Sequence, residues 1–271
     1  MTGLSVPVAP AGAPRLTPAL ALRDFTGVAR RNLVRSVRTP QLVLYMVQPV
    51  MMLLLFRYIF GGAIRVPGGG SYTNFAVPAI FLVTVLVGSM TSAIGIAEDL
   101  KSGMVDRFRS LPMARSAVLA GRSLTDLIRN AISLAVMVGL GFLVGFRFHS
   151  DPGRIVVGMV LILAFGFAFS WMNTAIGISV GDPESAQNAA TGPMFLLLFA
   201  SNAIVPSETL PGWLQGFARD QPLGVSSTAV RELFEGGSAG SDAWVSLAWS
   251  AGLTVVFFAL SYYLFQRAAA K

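Results

Sequence analysis

Residues Phe75–Pro112 read FAVPAIFLVTVLVGSMTSAIGIAEDLKSGMVDRFRSLP. The first part, through Ala97, carries no charge and is long enough to cross a bilayer, whose hydrocarbon core takes about 20 helical residues. The second part, Glu98–Pro112, is charged and amphipathic and stands before another apolar run. On helical spacing Leu100, Met104, Phe108 and Leu111 share one face, while Lys101, Asp106, Arg107 and Arg109 point elsewhere. Pro112 stops the helix. A membrane protein seldom needs an ordered, half-apolar helix in a short loop unless something docks there. Two readings follow: an interfacial helix lying in the headgroups, or a docking helix for a cytoplasmic partner.

Working outward, the composition fixes the class. The 271 residues are 54% hydrophobic and 12% charged, against about a quarter charged in soluble domains. Six segments reach spanning length: Leu42–Phe60, Phe75–Ala97, Leu124–Phe146, Ile155–Ile178, Ala186–Val205 and Ala243–Phe265. The fifth is the weakest, its apolar core beginning only at Pro193. Helices are expected for such spans, because each satisfies its own backbone within lipid. The expectation is an all-α integral membrane protein with six transmembrane helices in one domain, 40–271.

Basic residues give the orientation. Six arginines from Arg15 to Arg38, six basic residues from Lys101 to Arg129, and Arg267 with Lys271 all fall on one side, which the positive-inside rule makes cytoplasmic. Both termini are then inside. The pI of about 10.5 reports topology and anionic lipid rather than nucleic acid. Asp182 and Glu184, in the loop after the fourth span, stand without a cation in sequence. Residues 1–19, with Pro7, Pro10, Pro14 and Pro18, read as a disordered tail without signal-peptide pattern. Residues 20–39 read as an interfacial amphipathic helix. Leu22, Phe25 and Leu33 lie on its apolar stripe and Arg30 and Arg31 on its basic side, before Thr39-Pro40 breaks it. It serves as an anchor or as the side wall for a docked partner.

The loop between the fifth and sixth spans keeps apolar residues where an outer loop would be polar. Within 206–238, pieces around Leu210–Phe217 and Val225–Phe234, separated by Gln221–Gly224, read as two short helices dipping back into the outer leaflet; a surface-lying hairpin is the alternative. Trp213 and Phe217 suit the headgroup level.

Polar residues within the spans are sparse. Asp126 and Arg129 are spaced to pair on one helical face. Gln48-Pro49 kinks or loosens the first span. Ser170, Trp171 and Asn173 in the fourth span and Asn202 at the outer end of the fifth either bond neighbouring helices or line a substrate path. Gly141 and Gly145 form a GxxxG pair. No row of buried carboxylates or histidines serves a proton-coupled carrier.

Catalytic chemistry has little to work with. There is no cysteine and one histidine, His149, which excludes disulfides, thiolate sites and HExxH. Gly236–Gly240 matches GxSxG formally, but follows no strand, and reads as a linker. No GxxxxGK[ST] occurs, so the chain has no P-loop. No metal site is expected.

The order of these elements resembles the ABC-2 family of ATP-binding-cassette permeases, particularly membrane subunits of the daunorubicin/doxorubicin-resistance type, over nearly all of the chain after about residue 20. Two patterns carry the resemblance. One is Gly103 through Pro112, followed by Gly121-Arg122 and Asp126. The other is Pro206 through Glu208, then Leu210-Pro211-Gly212-Trp213-Leu214, Pro222 and Arg231. Met104 departs from the family's more usual threonine.

The resemblance implies a non-catalytic translocation subunit in a bacterial cytoplasmic membrane. It would work as a homodimer or heterodimer with two copies of a separate ATPase that holds ATP and Mg, on amphipathic drugs or lipids. The coupling helix 98–112 would present Glu98, Asp99, Leu100, Lys101, Gly103, Met104, Asp106, Arg107, Phe108, Arg109, Leu111 and Pro112 to that ATPase. Pro206, Pro211, Trp213, Phe217, Pro222 and Arg231 would form the re-entrant segment. A permease for lipid-linked saccharides shares the architecture; a non-transporting membrane scaffold is the rival from another class.

Overall fold

The computed structural model describes residues 40–61, 71–102, 115–203, 205–237 and 240–268. The tail, the interfacial helix 20–39 with Leu22, Phe25, Arg30, Arg31 and Leu33, and the stretch Gly103–Pro112 lie outside the described residues. Every regular element among those described is helical. In chain order these are α1 (Pro40–Leu55), continued by a π-helical turn (Phe56–Phe60), then α2 (Tyr72–Lys101), α3 (Arg115–Leu143), α4 (Pro152–Val180) and α5 (Pro183–Phe199). A 3-10 turn (Ser207–Thr209) leads to α6 (Gly212–Asp220), α7 (Pro222–Glu235) and α8 (Gly240–Ala268). Four of them, α2, α3, α4 and α8, are long and apolar enough to cross a membrane. The other two expected spans correspond to α1 with its π turn and to the 17-residue α5.

The helix α2 occupies the centre. It is apolar on all sides rather than on one stripe, so no face suits water, and lipid or other helices can cover each one. For α2 the cover is protein: 83% of its most apolar part is buried inside the molecule, against 11% for α8, whose sides face outward. Around α2 stand α1, α3, α4, α5 and α7, while α8 lies along α4 and α7. Burying apolar side chains between helices gains little in lipid, so close backbone approach and interhelical hydrogen bonds must supply the association. Small residues open the way. A side chain at Gly177 on α4 would meet the Ala93 carbonyl and Ile96 of α2, and one at Gly166 would meet Val85. On α3, Gly141 faces Phe81 and Val77 of α2.

At one end of the bundle, here the far end, aromatic rings join the elements. Phe81 of α2 meets Phe146 edge-on at 5.7 Å, and Phe148 meets Phe234 of α7 at 4.8 Å. Gly158 of α4 leaves room for the Phe234 ring. Arginines close this end by donating to backbone carbonyls: Arg57 Nε to Val144 O at 2.9 Å, and Arg154 to Gly236 O and Gly237 O at 3.0 and 2.8 Å. The first of these ties α1 to the end of α3.

Several boundaries differ from those read in the sequence. The fifth span was expected to reach Val205, but α5 ends at Phe199 and the chain turns through Ser201–Ala203. Ser201 donates to Leu198 O at 2.8 Å, giving the chain a local partner where the helix stops. The expected break Gln221–Gly224 shrinks to Gln221. Its side chain caps α7 by accepting from Leu223 N at 3.3 Å, and Pro222 takes the first turn, where no N–H is needed. Gly145 does not share a packing seam with Gly141. It lies past the end of α3 with φ of 96°, a turn conformation that favours glycine.

The seam between α2 and α4 yields a direct check. Gly177→Leu drives a branched side chain into the Ala93 backbone, which cannot yield like a flexible side chain. Overpacking of this sort costs about 1–3 kcal/mol or more. The purified variant is expected to melt at clearly lower temperature than the parent in the same detergent. Gly252→Leu, on an open face of α8, is expected to melt with the parent.

Candidate functional site

The geometry of the opposite end of the bundle, where α2 stops, begins with helical rotation. Successive residues of an α-helix point about 100° apart, so three in a row sweep most of one half of its circumference. In the last turn of α2 three successive residues meet three different neighbours. Asp99 pairs with Arg122 of α3, both partners half-buried. Leu100 packs against the cluster of Ile96, Trp171, Ile178 and Phe265, which joins α2, α4 and α8. Lys101 Nζ reaches Asp182 Oδ1 at 2.8 Å, at the start of α5.

Helix termini explain why Asp182 is available. It is the N-cap of α5, its other carboxylate oxygen accepting from Ser185 N at 3.1 Å. Asp182 is therefore not without a cation, contrary to the reading of its loop. The Lys101 ammonium, then the Ser185 N–H, hold its carboxyl down at about 2. Because the folded value lies below the unfolded one, the pair is complete above the ordinary carboxylate range and disappears as pH falls through about 2. Both side chains are largely exposed, so salt screens the pair and it contributes little to stability.

The segment Glu98–Pro112 is thus divided. Glu98–Lys101 belong to α2, which Ser102 caps by donating its N–H to Glu98 O at 2.9 Å. No separate helix begins at Glu98. The apolar stripe expected to start at Leu100 loses that residue to the interior. Gly103, Met104, Asp106, Arg107, Phe108, Arg109, Leu111 and Pro112 lie outside the described residues.

One turn deeper, α3 carries the Asp126–Arg129 pair expected from spacing, at 2.7 Å. Asp126 also accepts from Ser92 Oγ of α2 at 2.5 Å, and Arg129 donates to Gly88 O of α2 at 3.4 Å. Both carboxylate oxygens are therefore engaged, which is what a charge in a low-dielectric interior requires. Beside them Asn130, fully buried, fits against Gly88 of α2 and Gly166 of α4. Across the same seam Asn173 donates from Nδ2 to Ser89 Oγ at 2.8 Å. Ser89, Ser92, Asn130 and Asp182 are missing from the sequence-derived site; only their partners' positions across helices reveal them, although Arg122 and Asp126 stood out in the quoted motifs.

The four residues considered for a substrate path do not share one surface within the chain. Ser170 donates to Gly166 O at 3.0 Å along its own helix, and Asn173 faces α2. Trp171 turns the other way, its ring edge-on to Phe258 of α8 at 4.9 Å. Asn202 sits beyond the end of α5, donating to Thr228 Oγ1 at 3.1 Å and accepting from Ser227 Oγ at 3.1 Å.

At the far end Arg231 of α7 has a structural post. Its Nε donates to Phe75 O at 3.1 Å, a terminal nitrogen donates to Ala203 O at 3.4 Å, and the guanidinium lies 3.7 Å above the Phe75 ring. It thereby ties α7 to the start of α2 and to the turn after α5. Of the other residues of that segment, Pro211 precedes α6 as its N-cap, Pro222 opens α7 and Pro206 precedes the 3-10 turn. Trp213 is 81% exposed and Phe217 is exposed beside it, so α6 turns an aromatic edge outward. Among the described residues no group of three or more His, Cys, Asp or Glu converges as a metal site would require.

The family model described as ABC-2 type transporter matches residues 23–234 of the chain. The chain is 35% identical over 227 residues to the daunorubicin resistance ABC transporter permease protein DrrB1 of Streptomyces coeruleorubidus, covering 84% of this chain and 80% of that protein. It is 28% identical over 212 residues to the "Probable doxorubicin resistance ABC transporter permease protein DrrC" of Mycobacterium tuberculosis, covering 78% of this chain and 76% of that one. To the doxorubicin resistance ABC transporter permease protein DrrB of the same species it is 27% identical over 160 residues, 59% of this chain and 55% of that one.

The buried pair makes its own prediction. Arg129→Gln strands the Asp126 carboxylate in the interior, where an unpaired charge costs about 3–5 kcal/mol. The variant is expected to unfold at markedly lower temperature. Adding Asp126→Asn should recover most of the loss, because the charge goes with its partner; a double variant as unstable as the single would refute the pairing.

Proposed function

This chain belongs to the ABC-2 type transporter family, and we propose that it is the membrane subunit of an ATP-driven exporter of amphipathic drugs or lipids, switching between inward and outward access. Membership makes it a multi-pass membrane permease, in keeping with its four long apolar helices. The observation that carries the finer reading is the charged amphipathic segment after α2 in a chain that has no P-loop. Energy must then enter from another chain, and this segment is the part built to receive it.

In this reading ATP and Mg sit on a separate ATPase, two copies of which serve a homodimer or a heterodimer of permeases. Phe108 and its apolar neighbours dock in a groove of the ATPase, and Arg107 and Arg109 pair with acidic groups on its rim. Movement passes to the helices as rigid bodies. The domain 40–271 holds six spans, with α1 and α5 completing the four long ones. The helices α6 and α7 form the outer re-entrant pair, whose exposed Trp213 and Phe217 suit the headgroup level. The membrane is the bacterial cytoplasmic one with both termini inside, an orientation that the distribution of basic residues supports. The relatives named for daunorubicin and doxorubicin resistance support a drug-like cargo for this chain as well.

The test is purification of the tagged permease from its native membrane in mild detergent. A P-loop ATPase is expected to accompany the parent in stoichiometric amount and to be lost from Phe108→Asp, while both proteins melt alike. Absence of any ATPase from the parent would leave the scaffold reading in its place.

A further inference from the structure

The last turn of α2 was grouped, in sequence, with the residues that meet the ATPase, yet three of its side chains are engaged by neighbouring helices of the same chain. Asp99 holds Arg122, Leu100 is tucked among Trp171, Ile178 and Phe265, and Lys101 holds Asp182. We propose that this turn is a mechanical junction rather than a docking surface: its three residues position α3, α4 with α8, and α5 against α2, so that force entering the connection after Ser102 moves these helices as one body. The inference rests on the ATPase-coupled reading above.

Chain connectivity makes the Asp99–Arg122 joint the important one. The connection between α2 and α3 leaves at Ser102 and returns at Arg115. Asp99 stands one turn before the exit and Arg122 two turns after the return. Their ion pair therefore ties the two antiparallel helices at the base of that connection. Without the tie, a push on the connection would splay the helices apart and be lost locally. With it, the push travels along both, which is how a rigid-body shift reaches the far end. Glycine at 95 completes the joint. The Arg122 guanidinium lies where a side chain at that position would project, so any larger residue must dislodge it. The Lys101–Asp182 contact is exposed and weak, and acts to set the register of α5 rather than to bear load.

The chain has no cysteine, so one introduced thiol reports alone. His149→Cys places it in the exposed loop between α3 and α4, at the far end from the junction. The permease–ATPase complex is purified, and the rate of labelling by a membrane-impermeant maleimide is measured with and without ATP. In this background Gly95→Leu and Asp99→Asn are expected to capture as much ATPase as the parent and to lose the ATP effect on labelling. The exchange Asp99→Arg with Arg122→Asp is expected to restore it. Melting curves identify a variant that has merely unfolded, and Asp99→Asn then decides for Gly95→Leu.

An ATP effect that survives both variants overturns the junction, and so does capture that falls with them, which would make the turn a docking contact after all. A parent that responds to ATP nowhere at the far end overturns it too. A parent that captures no ATPase overturns the proposed function itself, and the junction with it.

Discussion

The structure depends on one helix, α2, whose faces are covered by other helices rather than left to lipid. It carries no charge from Phe75 to Ala97 and is apolar all round, and five other helices stand against it. In a bilayer this cover cannot come from hydrophobic driving force, since lipid is as apolar as the neighbours. It comes from close approach: Gly166 and Gly177 bring α4 against Val85 and Ala93, and Asn173 and Asp126 add hydrogen bonds to Ser89 and Ser92. Two such bonds, Ser92 to Asp126 and Asn173 to Ser89, fall on the seams of α2 with α3 and α4.

The two ends of the bundle solve their electrostatics differently. At the end with Lys101 and Arg122, cations meet carboxylates across helices, and each pair joins α2 to a neighbour. At the far end arginines donate to carbonyls left over where helices stop, as Arg57 does at Val144, Arg231 at Ala203 and Arg154 at Gly236. Carbonyls at helix termini carry partial negative charge and lack intrahelical donors, so a guanidinium satisfies both needs at once.

Much of this was legible in the chain. Long uncharged runs located α2, α3, α4 and α8, and the spacing of Asp126 and Arg129 predicted their pair. The apolar loop residues foretold α6 and α7, though Gln221 alone, not four residues, separates them. Where reading along the chain failed, the cause was a partner distant in sequence. Asp182 looked solitary because Lys101 lies 81 positions away. Ser170, Trp171 and Asn173 looked like one lining because they are adjacent, yet helical rotation sends Asn173 to α2 and Trp171 to α8. Gly141 and Gly145 matched a packing motif because the pattern does not show that α3 ends between them.

By itself the sequence determined the class of protein, the stretches that become helix, and the side of the membrane its basic residues favour. All three follow from local quantities: run length, composition, and charge along the chain. Only the tertiary structure decided that α2 is the hub and that Asp99, Leu100 and Lys101 of its last turn meet three different neighbours. Which side chains meet across helices depends on how each helix is rotated and how closely glycines let it approach, and neither is encoded in any one stretch.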